Sequence, residues 1–241
     1  MSPITSFKEA LDRAEPRPAS ASAKAEKKNY AERLSRHIST LFANRLRDSF
    51  PTILPNADGT RQESFVRAAR GPKKLDVNYS TPELGLGLGL SIKTINFRDG
   101  TTKRYTKNYS RVDNELRAEA KDYHERQPYS VLVAIVFLPS DATQCGGSEA
   151  SSFGQAVKYF RVRSERTGPR DEEEKFERIF VALYDHDASE RGRVVFFDVS
   201  NPPPKHGRPS DGSVLTLDEL VRALVAEYNR RNDPDFEWAE Q

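Results

Sequence analysis

The sequence predicts an α/β fold, with a mixed central sheet flanked by helices. Three observations carry that expectation. Apolar residues recur at helical spacing in two stretches, residues 29–48 and 217–230. Between them, YSVLVAIVFLP (residues 129–139) is a continuous apolar run rich in β-branched residues, the pattern of a strand buried on both faces. Leu and Gly alternate strictly over residues 84–90, a period of two and therefore strand-like.

Taken in order, residues 1–28 read as a flexible N-terminal segment. A short helix at 6–14 (SFKEALDRA) precedes a tether rich in Pro, Ala, Ser and Lys (EPRPASASAKAEKK). A single domain is expected over residues 29–241. Its first helix repeats Tyr30, Leu34, Ile38, Leu41, Phe42 and Leu46, with Glu32, Arg33, Arg36, Arg45 and Arg47 between them. It ends before Phe50-Pro51. A loop with Asp58-Gly59 leads to a strand at 64–70, and Gly71-Pro72 turns the chain.

Two extended segments follow, 75–79 and 86–97. Alternation along the second puts Leu84, Leu86, Leu88, Leu90, Ile92 and Thr94 on one face, and Gly85, Gly87, Gly89, Ser91 and Lys93 on the other. Glycine within a strand marks a bend or a close approach of another backbone or a ligand. The bare face therefore leads up to Ser91 and Lys93. After a turn at Arg98-Asp99-Gly100, Asp113 or Asn114 caps a helix running to about residue 126, and Pro128 closes it. Beyond the apolar strand come a helix around 153–160, strands at 179–184 and 193–199, a proline-rich connector and the closing helix.

Composition bounds the rest. The formal charge of +2 gives no global basic field, so any nucleic-acid partner must be served by a local patch. One cysteine, Cys145, excludes an internal disulfide and a cysteine zinc cage. No apolar run reaches membrane-spanning length, and a soluble, cytoplasmic protein without a membrane partner is expected. The best local patch is TTKRYTKNYSR, where Lys103, Arg104, Lys107 and Arg111 surround Tyr105 and Tyr109. Such cations pair with phosphates, and tyrosines stack on bases. Asp185, His186 and Asp187 look metal-like but sit in a charged turn, and His37, His124 and His206 have no second ligand at useful spacing. The Gly-Leu repeat lacks the spacing and the Lys-Ser/Thr of a phosphate-binding glycine loop.

With Asp76 on one extended segment and Ser91-Ile92-Lys93 on the next, followed by a basic loop, a helix and an apolar strand, residues 29–140 resemble the PD-(D/E)xK nucleases. These form the restriction-endonuclease-like superfamily. Leu75-Asp76 matches the Pro-Asp element and Ser91-Ile92-Lys93 the acid-x-Lys element, with Ser91 where the second acid belongs. The resemblance implies a restriction-endonuclease-like sheet and an Mg²⁺-dependent (Mn²⁺-tolerant) DNA endonuclease in restriction or another defence. A homodimer, or one subunit of a larger defence system, is the implied assembly.

Asp76 would be a metal ligand, since Mg²⁺ takes hard oxygens, and Lys93 would be the catalytic cation or, with a depressed pKa, a base. For the missing acid the resemblance implies migration, often to the following helix. There Glu115 and Glu119 share one face, and Glu115 is taken as the catalytic acid and metal ligand. Glu83 reaches only if the glycines fold the chain back, and Glu32 on the first helix is a further metal ligand candidate. Two other readings remain: a catalytically inactive nuclease-fold subunit that binds DNA or a partner protein, and a structural module whose Gly-Leu strand packs under a neighbouring chain.

Overall fold

The computed structural model describes residues 3–57, 61, 64–69, 71–83, 85–187 and 189–232. The helices are α1 (Phe7–Ala14), α2 (Lys24–Leu46), α3 (Tyr109–His124), α4 (Ser152–Arg161) and α5 (Leu217–Asn232). The strands are β1 (Ser64–Ala68), β2 (Gly71–Leu75), β3 (Val77–Thr81), β4 (Gly85–Thr94), β5 (Val131–Pro139), β6 (Arg178–Tyr184) and β7 (Val194–Asp198). The architecture is α/β: a five-stranded mixed sheet of order β3-β4-β5-β6-β7, plus a two-stranded sheet, β1-β2. No helix among the described residues is long and apolar enough to cross a membrane. The Asp58-Gly59 turn expected from the sequence lies outside the described residues, as does Leu84.

β5 explains the layering. Every residue of it is buried, and it pairs in parallel with β4 on one side and β6 on the other. Val131, Val133, Ile135 and Phe137 point into a core with α1, α2 and α5, while Leu132, Ala134, Val136 and Leu138 face a second core with α3 and α4. A strand whose two faces both carry aliphatic side chains is stable only between two helical layers. β3 and β7 close the sheet as antiparallel edges. Each edge receives one more bridge, Leu54 with Asn78 and Phe196 with Leu215, which shortens the open hydrogen-bonding row.

The helix expected at 6–14 forms as α1 and packs into the core, and the stretch after it, expected as a flexible tether to residue 28, runs into α2 at Lys24. Ser6 caps α1, accepting from the Glu9 N–H while the Glu9 carboxylate accepts from the Ser6 N–H. Ile4, Phe7, Ala10, Leu11 and Ala14 are buried, and the Phe7 ring stacks on Phe137 with centroids 5.6 Å apart. Arg33 then pins the connector by donating to the carbonyls of Ala14 and Pro16. Small residues and prolines here trace a short, tied-down connection.

The Leu-Gly strand also departs from simple alternation. Tyr79 pairs with Leu88 but Ser80 with Leu86, so Gly87 is an extra residue, a β-bulge. Leu88, Leu90 and Ile92 share one face as expected and pack in the core with α2, but Leu86 is switched to the opposite core. The glycine face is not bare. A Cβ on Gly89 would lie 2.7 Å from a Leu75 methyl and 2.9 Å from one of Leu132, and one on Gly87 would lie 3.1 Å from the rings of Tyr79 and Tyr228. Neighbouring side chains fill the space, and no nucleic-acid backbone can lie against those glycines.

A fully buried ion cluster joins the far ends of α3, β6 and α5. Glu177 accepts from Arg166 Nη1 at 2.9 Å and from the Leu132 N–H at 2.7 Å, with Arg231 at 3.2 Å and His124 Nε2 at 3.4 Å. Burial pushes the Glu177 carboxyl up, but His124, the Leu132 N–H and Arg231 outweigh it and hold it below the usual glutamate value.

Because α1 is core, Phe7→Ala should cost about 3–5 kcal/mol of unfolding free energy. Urea denaturation checks this, and a change below roughly 0.5 kcal/mol, the usual size for a surface substitution, would restore the tether.

Candidate functional site

The site forms where β4 runs under α3. Beyond the bulge, Ser91 and Lys93 point to the α3 side of the sheet, and α3 answers with Glu115 and Glu119 one turn apart. Ser91 Oγ donates to Glu119 Oε2 at 2.5 Å, and Lys93 Nζ donates to Glu119 Oε1 at 2.5 Å. Both carboxylate oxygens are therefore held by β4. Glu115 is more distant, with an oxygen 3.8 Å from Lys93 Nζ and another accepting from Arg111 at 2.6 Å.

Asp76 arrives from the other side. It is the single residue between β2 and β3, at the point where the chain passes from the small sheet to the main one. The β3–β4 ladder stops at Val77 and Leu90, so the Ile92 N–H has no strand partner there. The Asp76 carboxylate takes that role, accepting from Ile92 at 2.7 Å. Burial pushes the Asp76 pKa up to about 6, against the Ile92 N–H and Lys93, which lower it, while the Glu119 charge adds to the rise. Burial alone would depress Lys93, but Glu119, Asp76 and Glu115 prevail and hold it above the ordinary lysine value. Lys93 is thus a fixed cation, and the alternative role as a base with a depressed pKa is withdrawn.

The other sequence candidates scatter. Glu83 is exposed in the β3–β4 turn, beyond the Gly85 end of β4, whose eight steps to Lys93 span roughly 26 Å at 3.3 Å per residue. Glu32 is exposed on α2, 3.5 Å from Lys28 Nζ. It shares with Asp76 a cleft of about 440 Å³ walled by Ser35, Arg36 and Ser39 of α2 and by Lys74 and Leu75.

α3 starts at Tyr109, four residues before the expected cap, because Tyr109, Val112 and Leu116 continue its buried stripe. Tyr109 donates to the Ser152 carbonyl, and Tyr105, also buried, to Asp141. Neither ring is available for stacking on a base. Arg104 is engaged by Glu149, Lys107 by Asp99 and Arg111 by Glu115, while Lys103 is exposed. Of the turn at Asp185–Asp187, Asp185 pairs with Arg208 and His186 lies 3.6 Å from Asp187.

Among the described residues there is no group of three or more His, Cys, Asp or Glu side chains able to hold a metal ion. Asp76 and Glu119 supply carboxylate oxygens, the donor type that Mg²⁺ takes, and both act on the Lys93 charge. Mg²⁺ is commonly held by one or two carboxylates and completes its shell with water and substrate phosphate oxygens. Asp76 is moreover a carboxylate whose burial its neighbours do not fully offset, which a divalent cation would correct.

Compared with known proteins, the chain matches no family model, no curated protein and no solved structure.

The raised Asp76 pKa has a measurable consequence. In the unfolded chain the carboxyl titrates near 3.8 and in the folded one near 6. Below pH 3.8 it is neutral in both states, and between these values folding becomes progressively disfavoured as pH rises. In the metal-free protein, Asp76→Asn should therefore match wild type in Tm at pH 4 and exceed it at pH 8. An Asn variant less stable at pH 8 than at pH 4, relative to wild type, would contradict this.

Proposed function

We propose that this chain is a metal-dependent endonuclease that hydrolyses DNA phosphodiester bonds, with a restriction-endonuclease-like site in which Glu119 stands in for the acid missing at Ser91. The observation that carries the reading is the double hold on Glu119 by Ser91 and Lys93. The two residues that define the acid-x-Lys position grip a carboxylate delivered from the next helix. Role in restriction of foreign DNA and work as a homodimer or a subunit of a larger system rest on the resemblance alone.

Asp76 and Glu119 would hold Mg²⁺ or Mn²⁺, which when bound polarises the phosphoryl oxygen and lowers the pKa of a water. The chain's own groups do the positioning. The Ile92 N–H fixes one oxygen of Asp76, and Ser91 fixes one oxygen of Glu119, leaving both carboxylates little rotamer freedom. Lys93, kept protonated by three carboxylates, supplies positive charge where negative charge develops on the phosphate. Glu115 tunes Lys93 from 3.8 Å and is a neighbour of the site.

The inactive-subunit reading draws on a specific observation, that no third metal-capable acid joins Asp76 and Glu119 among the described residues. Plasmid cleavage in Mg²⁺ or Mn²⁺ separates the two. Asp76→Ala, Lys93→Ala and Glu119→Ala should each lose about 100-fold or more in rate, the scale for removing one preorganised charge, and Glu115→Ala only a few-fold. Loss at Glu115 with none at Glu119 would move the acid. Wild type that binds DNA in a salt-sensitive way without cutting would favour the inactive subunit.

A further inference from the structure

Two clefts touch this region, one lined by Glu115 and the other by Asp76, and their charges differ. The one on the outer face of α3, about 640 Å³, is lined by Lys107, Ser110, Arg111, Asn114, Glu115 and Ala118. Its cations are already engaged, Lys107 by Asp99 at 2.7 Å and Arg111 by Glu115 at 2.6 Å. A phosphate binding there would have to displace a carboxylate from each, or share the cation with it. The cleft between α2 and β2 is lined by Asp76 itself and by Arg36. The Arg36 guanidinium is exposed and has no carboxylate partner among the described residues. Ser35 and Ser39, one turn apart on α2, line it too, as does Lys74 of β2.

We infer that the α2–β2 cleft is the entry track of the substrate strand, with Arg36 as a phosphate-positioning residue for a phosphate next to the one at Asp76. The inference rests on the nuclease reading and deepens it by assigning the bound backbone to the α2 side of the site. Three physical points support it. An unpaired guanidinium offers its full fork of donors to a phosphate without first breaking an ion pair. The cleft is continuous with the proposed metal ligand, so a strand lying in it presents successive phosphates to Arg36 and to Asp76. Ser35 adds a hydroxyl of the kind that contacts phosphate oxygens. The Glu32 carboxylate on the same wall carries the opposite charge and is paired with Lys28 at 3.5 Å.

The test uses the full chain and a fluorescein-labelled duplex DNA in Ca²⁺, titrated by anisotropy between 50 and 200 mM NaCl, with plasmid cleavage in Mg²⁺ run in parallel. Arg36→Ala sits on an exposed helix face where alanine is well tolerated, and circular dichroism confirms its fold. It should weaken binding by roughly tenfold at low salt and reduce the salt slope by about 1. Arg36→Lys should recover the slope but only part of the affinity. Lys158→Ala, an exposed cation on α4, should behave as wild type. In cleavage the Arg36→Ala defect should appear in KM more than in kcat.

An unchanged affinity and slope in Arg36→Ala, while wild type binds and Asp76→Ala abolishes cutting, would overturn the inference and leave the nuclease reading standing. An equal loss in Lys158→Ala would overturn it too, because the effect would then be diffuse charge. Wild type that neither binds nor cuts would remove both.

Discussion

The register of β4 between its two neighbours is the constraint on which the site depends. β4 is antiparallel to β3 and parallel to β5, and these pairings fix which side chains face α3. A slip of one residue would send Ser91 and Lys93 into the aliphatic core under α2 and bring Ile92 to the site. The bulge at Gly87 absorbs the mismatch between the two ends of the strand. It lets Leu86 and Leu88 fill different cores while the stretch from Leu88 to Thr94 stays in step with β5. The same register leaves the Ile92 N–H beyond the end of β3, where Asp76 meets it. Fold and candidate site are thus held by one set of pairings, and the acid at position 76 completes the sheet as well as serving any chemistry.

Two carboxylates in this molecule, Glu177 buried and Asp76 half-buried at a cleft, illustrate different solutions to the cost of desolvation. Glu177 is surrounded by two guanidinium groups, an imidazole and a backbone N–H, and its pKa is pulled below the ordinary value. That is a satisfied structural charge, and removing any partner would strand the rest. Asp76 has one backbone donor and a lysine that is shared with Glu119, and its pKa rises to about 6. A carboxylate left partly uncompensated beside a cleft is what a metal or a reacting group needs, and such perturbed groups concentrate at functional sites. The contrast supports reading the Asp76 cluster as a site and the Glu177 cluster as a rivet.

Much of the fold was legible in the sequence because periodicity reports burial directly. The β-branched run at 129–139, the helical stripe of α2 and the Leu217 helix all follow from spacing. So does the placing of Asp76 and Lys93 on neighbouring segments, and of Glu115 and Glu119 on one face of α3. Glu115, taken from the sequence as the ligand, is the more distant of the two from Lys93, at 3.8 Å against 2.5 Å for Glu119, because spacing does not show where Ser91 and Lys93 meet the helix. The glycine face misled for a related reason. Alternation says nothing about what stands opposite, and here Leu75, Leu132, Tyr79 and Tyr228 occupy the room. In the loop 101–111, basic residues and tyrosines read as a binding patch, yet the carboxylates that engage Arg104, Lys107 and Arg111, and the buried partners of both tyrosines, are contributed largely from other parts of the chain. The Ser6–Glu9 capping box was readable, but low-complexity composition after it suggested a tether.

The central claim is that Glu119, delivered by α3, completes a two-carboxylate metal site with Asp76. Calorimetric titration of Mn²⁺ into the chain, without DNA, tests it most directly. The account predicts that wild-type binding is lost or severely weakened in both Asp76→Asn and Glu119→Gln and is retained in Glu115→Gln, with all three variants folded. Binding that survives Glu119→Gln while Asp76→Asn abolishes it would place the second ligand elsewhere and contradict the account.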